Sequence, residues 1–210
     1  MKKIIQIILA LAIIGLIYVV AEQILAPLRF QSEMKTRQAV VIERIKDIRT
    51  AERAYKQINQ KYTGSFDTLI RFLLTDSLVF EKSIGSADDS VAVARGLVKK
   101  ERFKVAAIDT VFAPRKLTEK QINDLKNIPY SDRDNDGQFR EFILAAGQLA
   151  TESKVVVPVF ECKAPFKDFL GDINKQELIN LIDERNQLDK YAGIKVGSLE
   201  QATNDAGNWE

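Results

Sequence analysis

Residues 48–69, IRTAERAYKQINQKYTGSFDTL, decide the fold. Ile48, Ala51, Tyr55, Ile58 and Tyr62 recur at steps of three and four, which places them along one side of a helix. Val41 and Ile45 continue that stripe toward the N-terminus, and Phe30 and Met34 extend it further. The opposite face carries Glu43, Arg44, Lys46, Asp47, Arg49, Glu52, Arg53 and Lys56, with Glu52 and Lys56 spaced as a favourable i,i+4 pair. Thr63-Gly64 is predicted to stop the helix. Ser65 then caps a second one, FDTLIRFLLTD, with Asp67 in its first turn. A one-sided stripe needs a partner, so Val41, Ile45, Ile48, Tyr55, Ile58 and Tyr62 form the predicted interaction face, laid on a head domain.

Upstream lies MKKIIQIILALAIIGLIYVVAEQ, two lysines followed by 18 residues (Ile4–Ala21) whose one strongly polar member is Gln6. At ~1.5 Å per residue that run covers about 27 Å, close to the hydrocarbon thickness of a bilayer. Lys2 and Lys3 direct the N-terminus to the cytoplasm, so a bacterial inner-membrane anchor with a periplasmic C-terminal domain is expected. The alternative is a signal peptide cleaved near Ala21, after Val19-Val20, which would release a secreted or periplasmic protein. The apolar core exceeds the usual ~7–15 residues of such peptides, which favours the uncleaved anchor. Pro27 is expected to kink or interrupt the helix. The chain thus divides into an anchor helix (1–28), an amphipathic extension (29–62), an α+β head (63–200) and a polar tail (201–210).

Composition excludes several function classes. Lys and Arg number 31 against 29 Asp and Glu, so no concentrated basic face marks a nucleic-acid partner. The nearest candidate, LVKKERFK (97–104), is interrupted by Glu101 and reads as a solvated strand end. Histidine is absent, which removes the commonest general base and metal ligand. Cys162 has no second cysteine to pair with, and VVVPVFECKAP reads as a strand that buries it. No nucleophile elbow, phosphate loop or acid-pair signature is present, so no catalytic residue and no organic cofactor are assigned; a carboxylate-based hydrolase is the third reading.

Further along, 78–82 and 103–113 read as strands, separated by the loop GSADD and the apolar piece SVAVARGLV. LTEKQINDLKNI (117–128) reads as a short helix capped by Thr118, with Ile122 and Leu125 on its inner face. Residues 128–166 read as strand, turn, strand, turn, strand, with turns at Asp136-Gly137 and Thr151-Glu152-Ser153. Pro158 predicts an edge position or a bulge for the last of these. INKQELINLIDERNQLDKY (173–191) reads as a helix with Leu178, Leu181, Ile182 and Leu188 on one face. The tail VGSLEQATNDAGNWE is expected to fray, and Trp209 either tucks back or docks on a partner. The fold class is α+β: a long N-terminal transmembrane and amphipathic helix packed on a small antiparallel sheet, with additional helices.

One stretch resembles a metal loop. In DRDNDGQFREF (132–142), Asp132, Asp134, Asp136 and Gly137 reproduce the first half of a calcium-binding turn. The twelfth position, however, is Ile143 where a bidentate Glu belongs. The competing reading is a charged hairpin turn set by Asn135-Asp136-Gly137.

Ala12-Ile13-Ile14-Gly15, the later Pro27, and the opening stretch with Arg53-Ala54-Tyr55, Lys61-Tyr62, Ser65 and Leu69 are similar to type IV pilins and type II secretion pseudopilins. The likeness covers about the first 70 residues. It implies a structural or assembly subunit of an envelope or secretion machine, whose partners are the inner membrane, other envelope-assembly proteins and possible copies of itself. Pilins are processed after a Gly that ends a basic leader, and carry Glu at the fifth mature position. Here nothing suitable precedes Ile4 and no acid precedes Glu22, so prepilin cleavage is not expected. The alternative is a membrane-tethered periplasmic binding or adaptor module that does not polymerise.

Overall fold

The computed structural model describes residues 2–84, 99–113, 115–132, 139–151 and 154–210. Helix α1 runs unbroken from Lys2 to Asn59, with Pro27 inside it. The interruption expected at Pro27 does not occur. Proline removes a single donor from the ladder, and the hydrogen bonds on either side carry the helix through. Every large apolar side chain from Ile4 to Leu28 is exposed, whereas Phe30, Val41, Ile45, Ile48 and Ala51 are buried. By length and composition α1 is the one helix among the described residues able to cross a membrane. It ends four residues before Thr63-Gly64, not at it: Gln60 adopts a left-handed φ of 59° and its N–H donates to the Lys56 carbonyl at 2.8 Å. Tyr62 therefore sits on the following turn.

The chain forms two compact units. The first comprises Met1–Ile42, Ile128–Arg140 and Ala164–Ile194. Within it, Arg37 is the main polar fastening. Its guanidinium grips Asp172 with two hydrogen bonds of 2.5 and 2.9 Å, donates to the Phe169 carbonyl at 3.0 Å, and lies 5.1 Å from the Tyr130 ring centre. The second unit comprises Glu43–Asn127, Glu141–Lys163 and Lys195–Glu210. There Tyr55 meets Phe72 edge-on at 5.2 Å, so the end of α1 packs against α2 (Phe66–Thr75), whose Phe66, Leu69, Phe72 and Leu73 are buried. Ser65 occupies the N-cap of α2 but its side chain makes no cap bond. Its backbone N–H instead donates to the Thr63 hydroxyl at 3.2 Å.

Strands β1 (Ser77–Ile84) and β2 (Lys99–Ala106) pair antiparallel, Ser77 opposite Ala106. The strand expected over 103–113 stops at Ala106, and α3 (Ala107–Val111) follows, burying Ala107. The loop pieces GSADD and SVAVARGLV lie outside the described residues. Helix α4 (Glu119–Asn123) starts on the expected Thr118, whose hydroxyl and Gln121 form a reciprocal capping box. A single 3-10 turn, Asp124–Lys126, completes it, with Ile122 and Leu125 buried.

The second sheet has β3 (Ile143–Ala150), β4 (Val156–Pro165) and, beyond α5 (Phe166–Phe169) and α6 (Lys175–Gln187), β5 (Gly193–Gly197), in the order β3-β4-β5. The first of the three strands expected in 128–166 is reduced to a bridge between Asn127 and Glu141. Pro158 belongs to the central strand, not to an edge. It is tolerated because β5 is short. Gly197 lies against the Phe160 carbonyl and Gly193 against that of Ala164, so β5 ends before reaching Pro158. Gly197 has φ +70°, and a Cβ there would run into that Phe160 oxygen, so the position needs glycine.

Ile194-Lys195-Val196 alternates over three residues, too few to predict a strand, and the tail beyond β5 is not frayed. Val196 bridges Gly207, Gly197 N–H donates to Ala206 at 2.9 Å, and Asn208 N–H to Lys195 at 3.0 Å. Trp209 tucks back, its indole against Gly207. Helix α6 is capped by Asn174, whose side chain accepts from the N–H groups of Gln176 and Glu177. Leu178 is buried, while Leu188 falls past the helix end and is exposed. The architecture is α+β: a long N-terminal apolar helix, a small three-stranded antiparallel sheet and additional helices.

Candidate functional site

A cleft of about 210 Å³ opens in the second unit between Val157–Phe160 of β4, the segment 198–205, and Lys56 with Tyr62. Its polar wall is built from the turn that ends α1. The Tyr62 ring packs on Phe160 at 4.7 Å, which fixes its direction, and its hydroxyl donates to the Asp205 carboxylate at 2.8 Å. The same carboxylate oxygen accepts from Arg53 Nε at 3.0 Å. Lys56 Nζ donates to the Tyr62 hydroxyl at 3.3 Å and sits 4.6 Å above the ring centre. Cation, phenol and carboxylate thus form one chain of charge-assisted bonds. Burial, reinforced by the hydrogen bond to Asp205, pushes the Tyr62 hydroxyl above its ordinary range.

Asn204 and Asp205 both have left-handed φ, 53° and 59°, a conformation their short polar side chains tolerate better than most. The turn is held from outside by Arg49, which donates to the Asp205 carbonyl at 3.2 Å and to Glu210 at 2.7 Å. The Arg49 hydrogen bond keeps the Glu210 carboxyl below its usual range.

Behind this wall lies Glu52. The expectation that it sits on the solvated face, paired with Lys56, is wrong. Glu52 is 0% exposed, one oxygen accepts from the Thr63 N–H at 3.0 Å, and the other has no hydrogen-bond partner. Lys56 is drawn to Tyr62 instead. Desolvation raises the Glu52 carboxyl to about 8, against the lowering effect of the Thr63 bond and with a smaller contribution from Asp205. Cys162 is buried as expected; burial, then the charges of Glu52 and Glu161, pushes its thiol up and leaves it unreactive.

Of the predicted interaction face, Val41, Ile45 and Ile48 are consumed in the protein's own core and Tyr55 by its contact with Phe72. Tyr62 reaches the cleft, and Ile58 remains 44% exposed. For the calcium reading, Asp132 is exposed, and Asp134 and Asp136 lie outside the described residues. Among the described residues no group of three or more metal-ligating side chains gathers. Asp205, the hub of the cleft, escaped the sequence reading. Its one signal was the turn composition of Asn204-Asp205-Ala206-Gly207 in a segment expected to be loose.

No family model, curated protein or solved structure matches the chain. The cleft is equipped to hold a polar ligand or partner side chain, through a lysine, a phenol and backbone groups, beside an apolar strand.

Proposed function

We propose that the protein is a membrane-anchored structural or assembly subunit of a bacterial envelope or secretion machine, with the Lys2-Lys3 end toward the cytoplasm and the remainder periplasmic. The observation that carries this reading is α1 itself: one helix whose Ile4–Leu28 region is apolar and exposed, and whose later stripe from Val41 to Ala51 is buried. Exposed leucine and isoleucine in such numbers are unfavourable in water and neutral in hydrocarbon. The membrane portion is then the surface left for lateral contacts, since the later stripe is already used. The likeness to pilins and pseudopilins in this helix supports the same role.

A second reading, a tethered binding or adaptor module that does not polymerise, is favoured by the Lys56–Tyr62–Asp205 cleft. Two measurements on the full chain separate them. Carbonate-washed membranes should retain the protein; recovery in the aqueous phase overturns the anchor. Crosslinked oligomers should form in membranes and disappear when Ala12 and Gly15 are replaced by leucine. Oligomers insensitive to that change, or none at all, favour the tethered binder.

A further inference from the structure

Residues 198–210 contain no run of helix or strand and form a strap along the second unit. The bridge between Val196 and Gly207 ties the strap to β5. Three side chains tie it to α1 and the turn that follows: Arg49 to Glu210, and Arg53 and Tyr62 to Asp205. Glu52 stands beside this fastening. Its single hydrogen bond is from the N–H of Thr63, the residue after Tyr62, and its Oε1 is buried without a partner. The titratable groups facing it are Tyr62 from the turn, Asp205 from the strap and Cys162 from β4. On α1 itself, Arg53 is committed to Asp205 and Lys56 to Tyr62, while Glu161, next to Cys162 on β4, pairs with Lys163. No cation is paired with Glu52 among the described residues.

A carboxylate in that position needs water once it loses its proton, and it repels the Asp205 carboxylate. Moving α1 or β4 to admit water would take apart the core, since Ile48, Ala51 and Phe160 are buried there. The strap, held at its margins by a bridge and a few side chains, is the cheapest part to move. We infer that the proton on Glu52 latches this strap. With the proton in place, Asp205 stays on Tyr62 and the strap is closed. Without it, the Tyr62–Asp205 bond lets go, the strap lifts and the Glu52 carboxylate is hydrated. The cleft beside Lys56 has residues 198–205 as one wall, so it exists in the closed form and opens as pH rises. This device goes beyond either role proposed above and is the same for a structural subunit and a tethered binder.

The test is hydrogen exchange of the full chain in nanodiscs, read by mass spectrometry from pH 5 to 9 and corrected for the intrinsic pH dependence of amide exchange. Peptides from 198–210 should be less protected than peptides from α2 at every pH, because they exchange through a local opening. Their protection should fall by up to about tenfold per pH unit and level off above about pH 8. Glu52→Gln, which has no proton to lose, should flatten that profile. Tyr62→Phe unfastens the strap without touching Glu52, and should lower strap protection about fivefold at pH 5 while the pH dependence remains. Strap protection that is independent of pH overturns the inference, as does protection equal to that of α2, which would mean exchange through global unfolding alone. A pH dependence that persists in Glu52→Gln, or strap protection unmoved by Tyr62→Phe, overturns it as well.

Discussion

Glu52 reaches past the end of its own helix to accept the backbone N–H of Thr63, eleven residues on, at 3.0 Å. The bond satisfies a donor at the turn that positions Tyr62 and Gly64. Its cost is a carboxyl group removed from water.

That cost makes stability depend on pH. In the unfolded chain Glu52 loses its proton near the ordinary carboxylate range, about 4.3. In the fold it keeps the proton up to about 8. Between these limits the native state binds the extra proton, so stability falls as pH rises, by at most about 1.4 kcal/mol per unit, and levels off above pH 8. Glu52→Gln keeps an acceptor for Thr63 and has no proton to lose. Urea unfolding from pH 5 to 9 should show this decline in the wild-type protein and a flatter profile in the variant.

Gly197 should not tolerate alanine. Its φ of +70° is unfavourable for any side chain, and the added Cβ would collide with the Phe160 carbonyl. Gly197→Ala should cost about 2–4 kcal/mol, read as a lowered urea midpoint. Gly147→Ala, where the nearest atom to a new Cβ is a Leu199 methyl at 3.8 Å, serves as the mild control.

Asp205 joins Tyr62 and Arg53. Tyr62→Phe removes the bond to Asp205 and the longer one from Lys56 and should cost about 1 kcal/mol, whereas Asp205→Ala unpairs both Tyr62 and Arg53 and should cost about 2. In a double-mutant cycle the two changes should couple by at least about 0.5 kcal/mol. Additive effects would show that the hydroxyl and carboxylate act independently.

Arg37 is expected to dominate the polar stability of the first unit. Arg37→Ala should cost about 2 kcal/mol, because it unpairs Asp172 and the Phe169 carbonyl together. The Arg37 hydrogen bond holds the Asp172 carboxyl below its ordinary range. The contribution of the pair is therefore complete above the unfolded range, about 3.9, and is lost as pH falls through the lower folded value. The stability gap between wild type and variant should narrow under strongly acidic conditions, followed by thermal melting.

Much of the helical framework was legible because each signal was local. The apolar run before Glu22, the three-and-four spacing from Val41 to Ala51 and the Thr118–Gln121 box all declare themselves within a few turns. The stretch 103–113 was misread because Val105 to Phe112 is equally apolar as strand or helix, and local pattern cannot choose between them. The cleft was illegible for a different reason: its hub, Asp205, meets Tyr62 from 143 residues away.

By itself, the sequence determined that this chain has an apolar N-terminal helix, an amphipathic continuation and a mixed α+β remainder, because hydrophobic periodicity is a property of neighbouring residues. Only the tertiary structure decided that Glu52 turns inward, that Pro158 can occupy a central strand, and that the polar tail closes onto β5 and delivers Asp205 to Tyr62. Each depends on groups far apart in the chain. Burial and hydrogen bonding between them arise only once the chain has folded.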